Sequence, residues 1–472
     1  MVFSSTIFLC VYLPLVLLGY YICPKKGRNL FLLIVSLVFY AWGEPKYVFL
    51  MIFSILVNYI FGRLMDKNRG RQKRMKLLLV LSVVIDLGLL SVFKYTDFII
   101  TNVNAIFGSS FDLLNIALPI GISFYTFQAM SYTIDVYRND VRVQKNLIDF
   151  GMYITMFPQL IAGPIVRYAD VQDQLAERSV TTADFSEGVM RFVVGLGKKV
   201  LLANQMGAVW SEIYALGGDV SALMAWTGAI AYTFQIYFDF SGYSDMAIGL
   251  GRMFGFKFPE NFRYPYQSVS ITDFWRRWHI SLSSWFRDYL YIPLGGSRCS
   301  KWRTRMNLMI TFVVSGLWHG ANWTFVIWGG LNGLFQVIGN MMKPIKEQTR
   351  LCCGMRKDSI WLKAFNILLT FVLMTVTWTF FKAHTLEDAL LAISKMVLPA
   401  GVLYKPDLSV LLYGTMGVGV LMVCDMLEEK NGKHPLLEND SITIRFASYV
   451  VLSMIILSVG VFDGGQFIYF QF

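Results

Sequence analysis

Apolar runs long enough to cross a bilayer, roughly 17–25 residues each, recur from Phe3 to Tyr469. The first, Phe3–Ile22, ends in Lys25-Lys26-Gly27-Arg28. Leu30–Trp42 and Val48–Leu64 follow, parted by a turn around Gly43-Glu44-Pro45. Then comes the densest basic cluster, Asp66–Lys76. Short loops rich in Lys and Arg stay in the cytoplasm, so this loop and Lys25–Arg28 both lie inside, and the N-terminus is expected outside. Further runs cover Leu77–Phe93, Leu118–Val136, Leu147–Val166, Phe192–Ile213, Ala222–Leu250, Ile360–Phe381, Leu408–Met426 and Ile444–Val461. The pattern predicts an all-α, polytopic transmembrane helical bundle with roughly nine to twelve crossings.

Three segments interrupt that pattern. Phe157-Pro-Gln-Leu-Ile-Ala-Gly-Pro164 puts two prolines and a glycine into one apolar run. Such a helix must break or kink, and its freed backbone groups need protein or water partners. Between Phe258 and Arg305 hydrophobic continuity fails, and Trp, Tyr and Arg dominate. Helices lying at the interface or folded into the bundle are expected there. Asn307–Met341 has basic residues on both flanks, Arg298 to Arg305 before and Lys343 to Lys357 after. If both flanks are cytoplasmic, the segment enters, bends near Gly320–Asn322 and returns, which places His319 near the tip.

Of 472 residues, 55% are hydrophobic and 15% charged, against about 25% charged in soluble chains. No stretch is polar enough for a separate soluble domain, so residues 1–472 read as a single integral-membrane domain. The net charge of +11 follows from loop lysines and arginines that set topology, and no nucleic-acid partner is expected. Cys10, Cys23, Cys299, Cys352, Cys353 and Cys424 form no CxxC and no zinc-ligand spacing, so no metal is expected. Cys352 and Cys353 fall in a basic loop placed in the cytoplasm, where disulfides are rare. Met1–Thr6 lacks the basic start of a cleavable signal peptide and reads as the beginning of the first permanent span.

The candidate chemistry centres on Ser315-Gly-Leu-Trp-His-Gly-Ala-Asn322. An ionisable residue at membrane depth is costly and points to function. His319 can exchange a proton near neutrality, and an apolar wall favours the neutral imidazole a general base needs. A structural histidine bonded to a nearby carbonyl is an equal alternative on placement alone. His279 lies in Asp273-Phe-Trp-Arg-Arg-Trp-His-Ile-Ser281. On one helix from Thr272 and Asp273, with Asp273 as its cap, Trp275, Trp278, Leu282 and Trp285 fall on one side. His279, Ser283, Arg276 and Arg287 fall on another. A packing or headgroup-binding role for His279 is as strong as catalysis. Arg287 and Arg276 could hold phosphate on a donor or lipid, although snorkelling is the commoner use. Asp239 and Asp245 need partners, with Arg263 or Arg287 as candidates. His384 and His434 read as plain surface residues.

Neither a Walker A loop nor a GxSxG elbow, HExxH helix or dinucleotide GxGxxG is present. HxxxxD is absent as well, since His384 and Asp388 have the wrong spacing. Direct transfer to a hydroxyl with a histidine base is the simplest chemistry left. Across nearly its whole length the chain resembles the membrane-bound O-acyltransferases, in the bacterial branch of alginate O-acetylation and teichoic-acid D-alanylation proteins. The resemblance is carried by Phe157–Arg167, Tyr237–Ala247, Asn261-Phe-Arg-Tyr-Pro265, Asp273–Ser283, Trp285–Gly296 and Gly316–Asn322. Chain length and Phe467-Ile-Tyr-Phe-Gln-Phe472 look more like the alginate type.

That resemblance implies a buried funnel or tunnel through a helical bundle, with His319 as catalytic base and His279 as its companion. It implies an acyl thioester donor (acetyl-CoA or an acyl carrier) and no tightly bound cofactor. The acyl group would leave the cytoplasm for an extracytoplasmic polysaccharide, delivered by an SGNH-type partner or a small membrane peptide, in a bacterial plasma membrane. The donor would enter near the basic, aromatic 270–300 region. Trp318 and Trp278 would shape the pocket, and Arg287 would bind substrate. His279 and Asn322 would position the site or donate to the developing oxyanion, with Asp239 orienting a donor. The rival enzymes are D-alanyl or lipid acyltransferases of the same family. A transporter with broken helices and a noncatalytic scaffold are the rivals of other classes.

Overall fold

A computed structural model describes residues 1–217, 220–352, 354, 356, 359–398, 401, 408–432, 434, 436–462 and 467–470. Cys353, Lys357 and the last two residues of the Phe467–Phe472 segment lie outside the described residues. The fold is all-helical, 77% helix, with no strand among the described residues. Among the described residues, five helices are long and apolar enough to cross a membrane: Val48–Lys67, Gln72–Phe107, Ile360–Lys382, Leu411–Asn431 and Ile442–Val459. The chain is a multi-pass membrane protein. Its contacts divide it into two compact units, one of residues 1–196, 243–259 and 466–472, the other of 197–242 and 260–465.

The first unit contains α1 (Leu13–Ile22), α2 (Arg28–Gly43), α3 (Val48–Lys67), α4 (Gln72–Phe107), α5 (Ile122–Arg138), α6 (Leu147–Thr155) and most of α7 (Thr182–Gly197). Small residues allow close helix approach here, as is common where lipid removes the hydrophobic drive between helices. A Cβ added at Gly62 of α3 would fall 2.8 Å from the Tyr132 ring of α5. The polar residues of the apolar spans bond one another, as Asn58 donates to Asp86 at 2.9 Å and Ser82 to Asn58 at 3.2 Å. The proline-rich segment breaks as expected. α6 stops at Thr155 and one helical turn, Phe157–Leu160, follows. Its freed groups are satisfied within the protein: Phe157 N–H donates to Ser36 Oγ (3.1 Å) and Tyr153 Oη to the Val166 carbonyl (3.0 Å).

The second unit contains α8 (Asn204–Ala215), the first part of α9 (Ala222–Met253), α10 (Ile271–Arg277), α11 (Ile280–Phe286), α12 (Lys301–His319), α13 (Trp323–Met341), α14 (Ile360–Lys382), α15 (Leu386–Val397), α16 (Leu408–Asn431) and α17 (Ile442–Val459). The run expected to begin at Phe192 already belongs to α7, which a π-helical segment, Lys198–Ala203, joins to α8. The 258–305 region packs its aromatic side into the protein and leaves Arg276 and Arg287 exposed. Phe274, Trp275, Trp278, Trp285 and Phe286 are all buried. The single helix expected from Thr272 to Arg287 is instead two. α10 ends at Arg277 and α11 starts at Ile280, because His279 takes a left-handed backbone conformation, φ +43°. Ser270, rather than Asp273, caps α10, its Oγ accepting from Asp273 N–H at 3.2 Å.

Candidate active site

His319 is the last residue of α12, and a three-residue turn, Gly320–Asn322, leads directly into α13. The Asn307–Met341 segment is therefore a helical hairpin with His319 at its tip. At 1.5 Å per residue, each 19-residue arm is about 28 Å long. Glycines bring the arms together. A Cβ on Gly316 would lie 3.3 Å from Gly329 Cα, and one on Gly333 would lie 3.1 Å from Phe312 Cβ. That order of contacts, 316 with 329 and 312 with 333, is an antiparallel pairing. Asn322 holds the turn: its Oδ1 accepts from Thr324 N–H (3.0 Å) and its Nδ2 donates to the His384 carbonyl (2.8 Å). Both ends of the amide assigned by sequence to substrate thus serve the hairpin.

The His319 ring is 4% exposed and walled by aromatics. Trp328 meets it edge-on at 5.0 Å, Phe381 at 5.2 Å and Trp318 at 4.9 Å between centroids. Behind Trp328 the stack continues through Trp378 (5.7 Å) to Trp278 (4.9 Å). Trp278 therefore supports the wall as its third layer. Phe381 and Trp378 come from α14, far along the chain from the histidine motif, and sequence reasoning did not single them out.

His279 is also buried, its ring centroid 6.4 Å from that of Trp318, and Phe240 of α9 stands edge-on to it at 4.6 Å. The two histidines thus share Trp318 as a common neighbour. Burial pushes the His279 imidazole down to about 3, so the ring is neutral. Its Nδ1 lies 3.0 Å from Asn261 Oδ1. Asn261 opens the Asn261–Pro265 motif, and nothing in that motif's residue order marks it as a partner of His279.

Asp239 pairs with Lys199 of the π-helical segment at 2.5 Å, both side chains almost fully buried. Asp245 pairs with Arg191 at 2.8 Å in the first unit. These partners replace Arg263 and Arg287, because a π-helical segment and a neighbouring helix deliver cations that sequence separation hides. Arg287 makes a two-point contact with Asp288, at 2.6 and 3.0 Å, and stays largely exposed. It does line a cavity of about 400 Å³ with Arg276, Trp275, Ser283, Phe312 and Ser315. Ser315 is one helical turn before His319, and Ile280, beside His279, also faces this space. A second cavity, about 260 Å³, is bounded by Trp210, Tyr214, Thr379, Asp388 and Lys395. His384 is exposed as expected. His434 is half-buried, its Nδ1 accepting from the Leu436 and Leu437 amides at 3.3 and 3.1 Å.

The arrangement sets a buried imidazole one helical turn from Ser315, which lines a partly cationic cavity, and a buried imidazole suits proton transfer. A family model of the membrane-bound O-acyltransferases matches residues 140–381. The chain is 46% identical over 393 residues to the probable alginate O-acetylase AlgI of Pseudomonas aeruginosa, covering 82% of this chain and 73% of that protein. It is 35% identical to the peptidoglycan O-acetyltransferase of Helicobacter pylori, over 84% of this chain and 80% of the relative. A teichoic acid D-alanyltransferase of Streptococcus thermophilus is 29% identical over 56% of this chain and 68% of the relative.

Proposed function

The chain belongs to the membrane-bound O-acyltransferase family, and from that premise we propose that it moves an acetyl group from a cytoplasmic thioester to an extracytoplasmic polysaccharide. Acetyl is favoured over D-alanyl because identity is 46% to an alginate O-acetylase and 29% to a D-alanyltransferase. The observation that carries the reading is His319, buried at the hairpin tip one helical turn beyond Ser315, which lines a cavity of about 400 Å³ together with two arginines. The cavity receives the donor. Its aromatic and aliphatic walls take the acyl arm, and Arg276 and Arg287 meet the donor's phosphates.

His319 removes the proton from the acceptor hydroxyl as its oxygen attacks the thioester carbonyl. A C–O bond forms, the C–S bond breaks, and the proton passes from the imidazolium to the departing thiolate. Acceptor and ester product then carry no net change in charge, and the histidine returns to its neutral form. The acceptor is the polymer itself, or a hydroxyl of an SGNH-type partner or a small membrane peptide that completes delivery. The bacterial relatives favour a plasma-membrane location, and the basic loops favour an orientation with Lys25–Arg28 and Asp66–Lys76 inside and the N-terminus outside. Positioned proton transfer contributes about 10²–10⁴-fold. His319→Ala is therefore expected to abolish glycan O-acetylation in cells while the protein still inserts, as followed by mass spectrometry of the glycan and membrane-fraction blotting. Retained acetylation in that variant overturns the assignment.

A further inference from the structure

Helix α11 cannot be capped by its own N-cap residue, His279, whose side chain makes no cap bond and whose backbone is left-handed. Asn261, from a loop 18 residues upstream, caps it instead. Its backbone carbonyl accepts from Ile280 N–H at 2.9 Å, and its side-chain Oδ1 accepts from Ser281 N–H at 3.3 Å. Ser281 Oγ donates to the same Oδ1 at 2.9 Å. Those groups decide which way the Asn261 amide faces. A backbone N–H can only donate, so the atom opposite Ser281 N must be the amide oxygen, because an NH₂ group there would set donor against donor. His279 Nδ1 stands 3.0 Å from that same oxygen. An oxygen accepts, so Nδ1 must carry the proton. In a neutral imidazole the other nitrogen, Nε2, then holds the lone pair.

We propose that Asn261 is a positioning residue that locks His279 as the Nδ1–H tautomer, so that His279 serves the reaction as a proton or hydrogen-bond acceptor through Nε2. The expectation that His279 donates to a developing oxyanion is thereby reversed, since a neutral ring in this tautomer has no second N–H to offer. The left-handed backbone at His279 fits the same scheme. Strained non-glycine residues persist where surroundings over-determine them, and here Asn261 grips the helix start on one side of His279 and its ring on the other. The inference rests on the acyltransferase reading for its functional half only; the tautomer is a property of the folded chain.

The chain has four histidines, which makes direct observation practical. Full-length protein, labelled with ¹⁵N-histidine and held in lipid nanodiscs, is compared with a His279→Gln sample to assign the ring signals. The expected spectrum has a protonated, pyrrole-type Nδ1 and a pyridine-type Nε2 for His279. A protonated Nε2 with bare Nδ1 overturns the proposal while leaving the acyltransferase reading intact. Two variants give the functional half. Asn261→Asp keeps an acceptor oxygen for both Nδ1–H and the α11 amides, and it is expected to keep the tautomer and most of kcat. Asn261→Leu removes the acceptor and is expected to mix the tautomers and lower kcat by roughly 10²-fold, with KM for the thioester little changed. If the leucine variant folds and turns over like the parent, Asn261 is only a helix cap and the positioning role is refuted. If all glycan acylation persists in His319→Ala, the proposed function fails instead, and the spectrum still reports on Asn261.

Discussion

Gly316→Ala isolates the hairpin's effect on catalysis from its effect on stability. The added methyl would lie 3.1 Å from the Phe325 carbonyl carbon and 3.3 Å from Gly329 Cα, and would overlap the Phe325 carbonyl oxygen. Carbon pairs settle at about 3.5–4.0 Å, so the arms must part by roughly 0.5 Å or more at this level. Both obstacles are backbone, so no side chain can swing away to relieve them. His319 is three residues further along the same helix and moves with it. Misplacement of a reacting group by about 1 Å costs on the order of 10²-fold; half that shift is expected to lower kcat by about tenfold or more. Overpacking costs about 1–3 kcal/mol, partly offset by the better helix propensity of alanine. The assay is thiol release from an acetyl thioester by detergent-purified protein, run beside thermal unfolding. Gly339→Ala, on the other arm, α13, and with nothing within 4 Å of the added methyl, is the control and is expected to match the parent. A Gly316→Ala enzyme with parental kcat would show that His319 does not depend on close approach of the hairpin arms.

The buried Lys199–Asp239 pair gives a second expectation. Removing one partner, as in Lys199→Met or Asp239→Leu, strands a charge and costs about 3–5 kcal/mol, whereas the double variant recovers much of that loss. Chemical denaturation of the three variants checks it, and additive losses would rule out coupling between the two groups. His434 supplies a pH dependence. Burial, the largest cause, holds its imidazole below the ordinary value, and its Nδ1 can accept the Leu436 and Leu437 amides only when unprotonated. A depressed folded value means that the stabilisation is complete above about 6.5, the unfolded value, and is lost as pH falls through the folded one. Hydrogen-exchange protection of those two amides is expected to drop on acidification and to lose that step in His434→Gln. Unchanged protection factors across the range would refute the cap.

Some of the site was legible in the chain and some was not, for identifiable reasons. The break at Pro158–Pro164 could be read because proline removes a donor wherever it stands. The turn at Gly320–Asn322 followed from basic flanks on both sides of one apolar run, and His319 stood out because ionisable residues are rare in such runs. The path of the chain around His279 was not legible. Its spacing matches a continuous amphipathic helix, and only the left-handed residue between α10 and α11 splits it. Nothing in residue order reports that Asn261 takes over the capping duty that His279 leaves open.

The amino-acid sequence by itself determined the helical, membrane-embedded class and the family. Both depend on local composition or on motifs a few residues long. Tertiary structure alone decided which groups meet: Lys199 for Asp239, Arg191 for Asp245, Phe381 and Trp378 behind His319, and the Asn322 amide on the His384 carbonyl. In a membrane protein the apolar face that meets lipid and the one that meets another helix have similar composition. Periodicity therefore predicts that segments are buried, but partners are fixed only by close packing, where a glycine against a backbone carbonyl or one buried counter-charge selects a single arrangement.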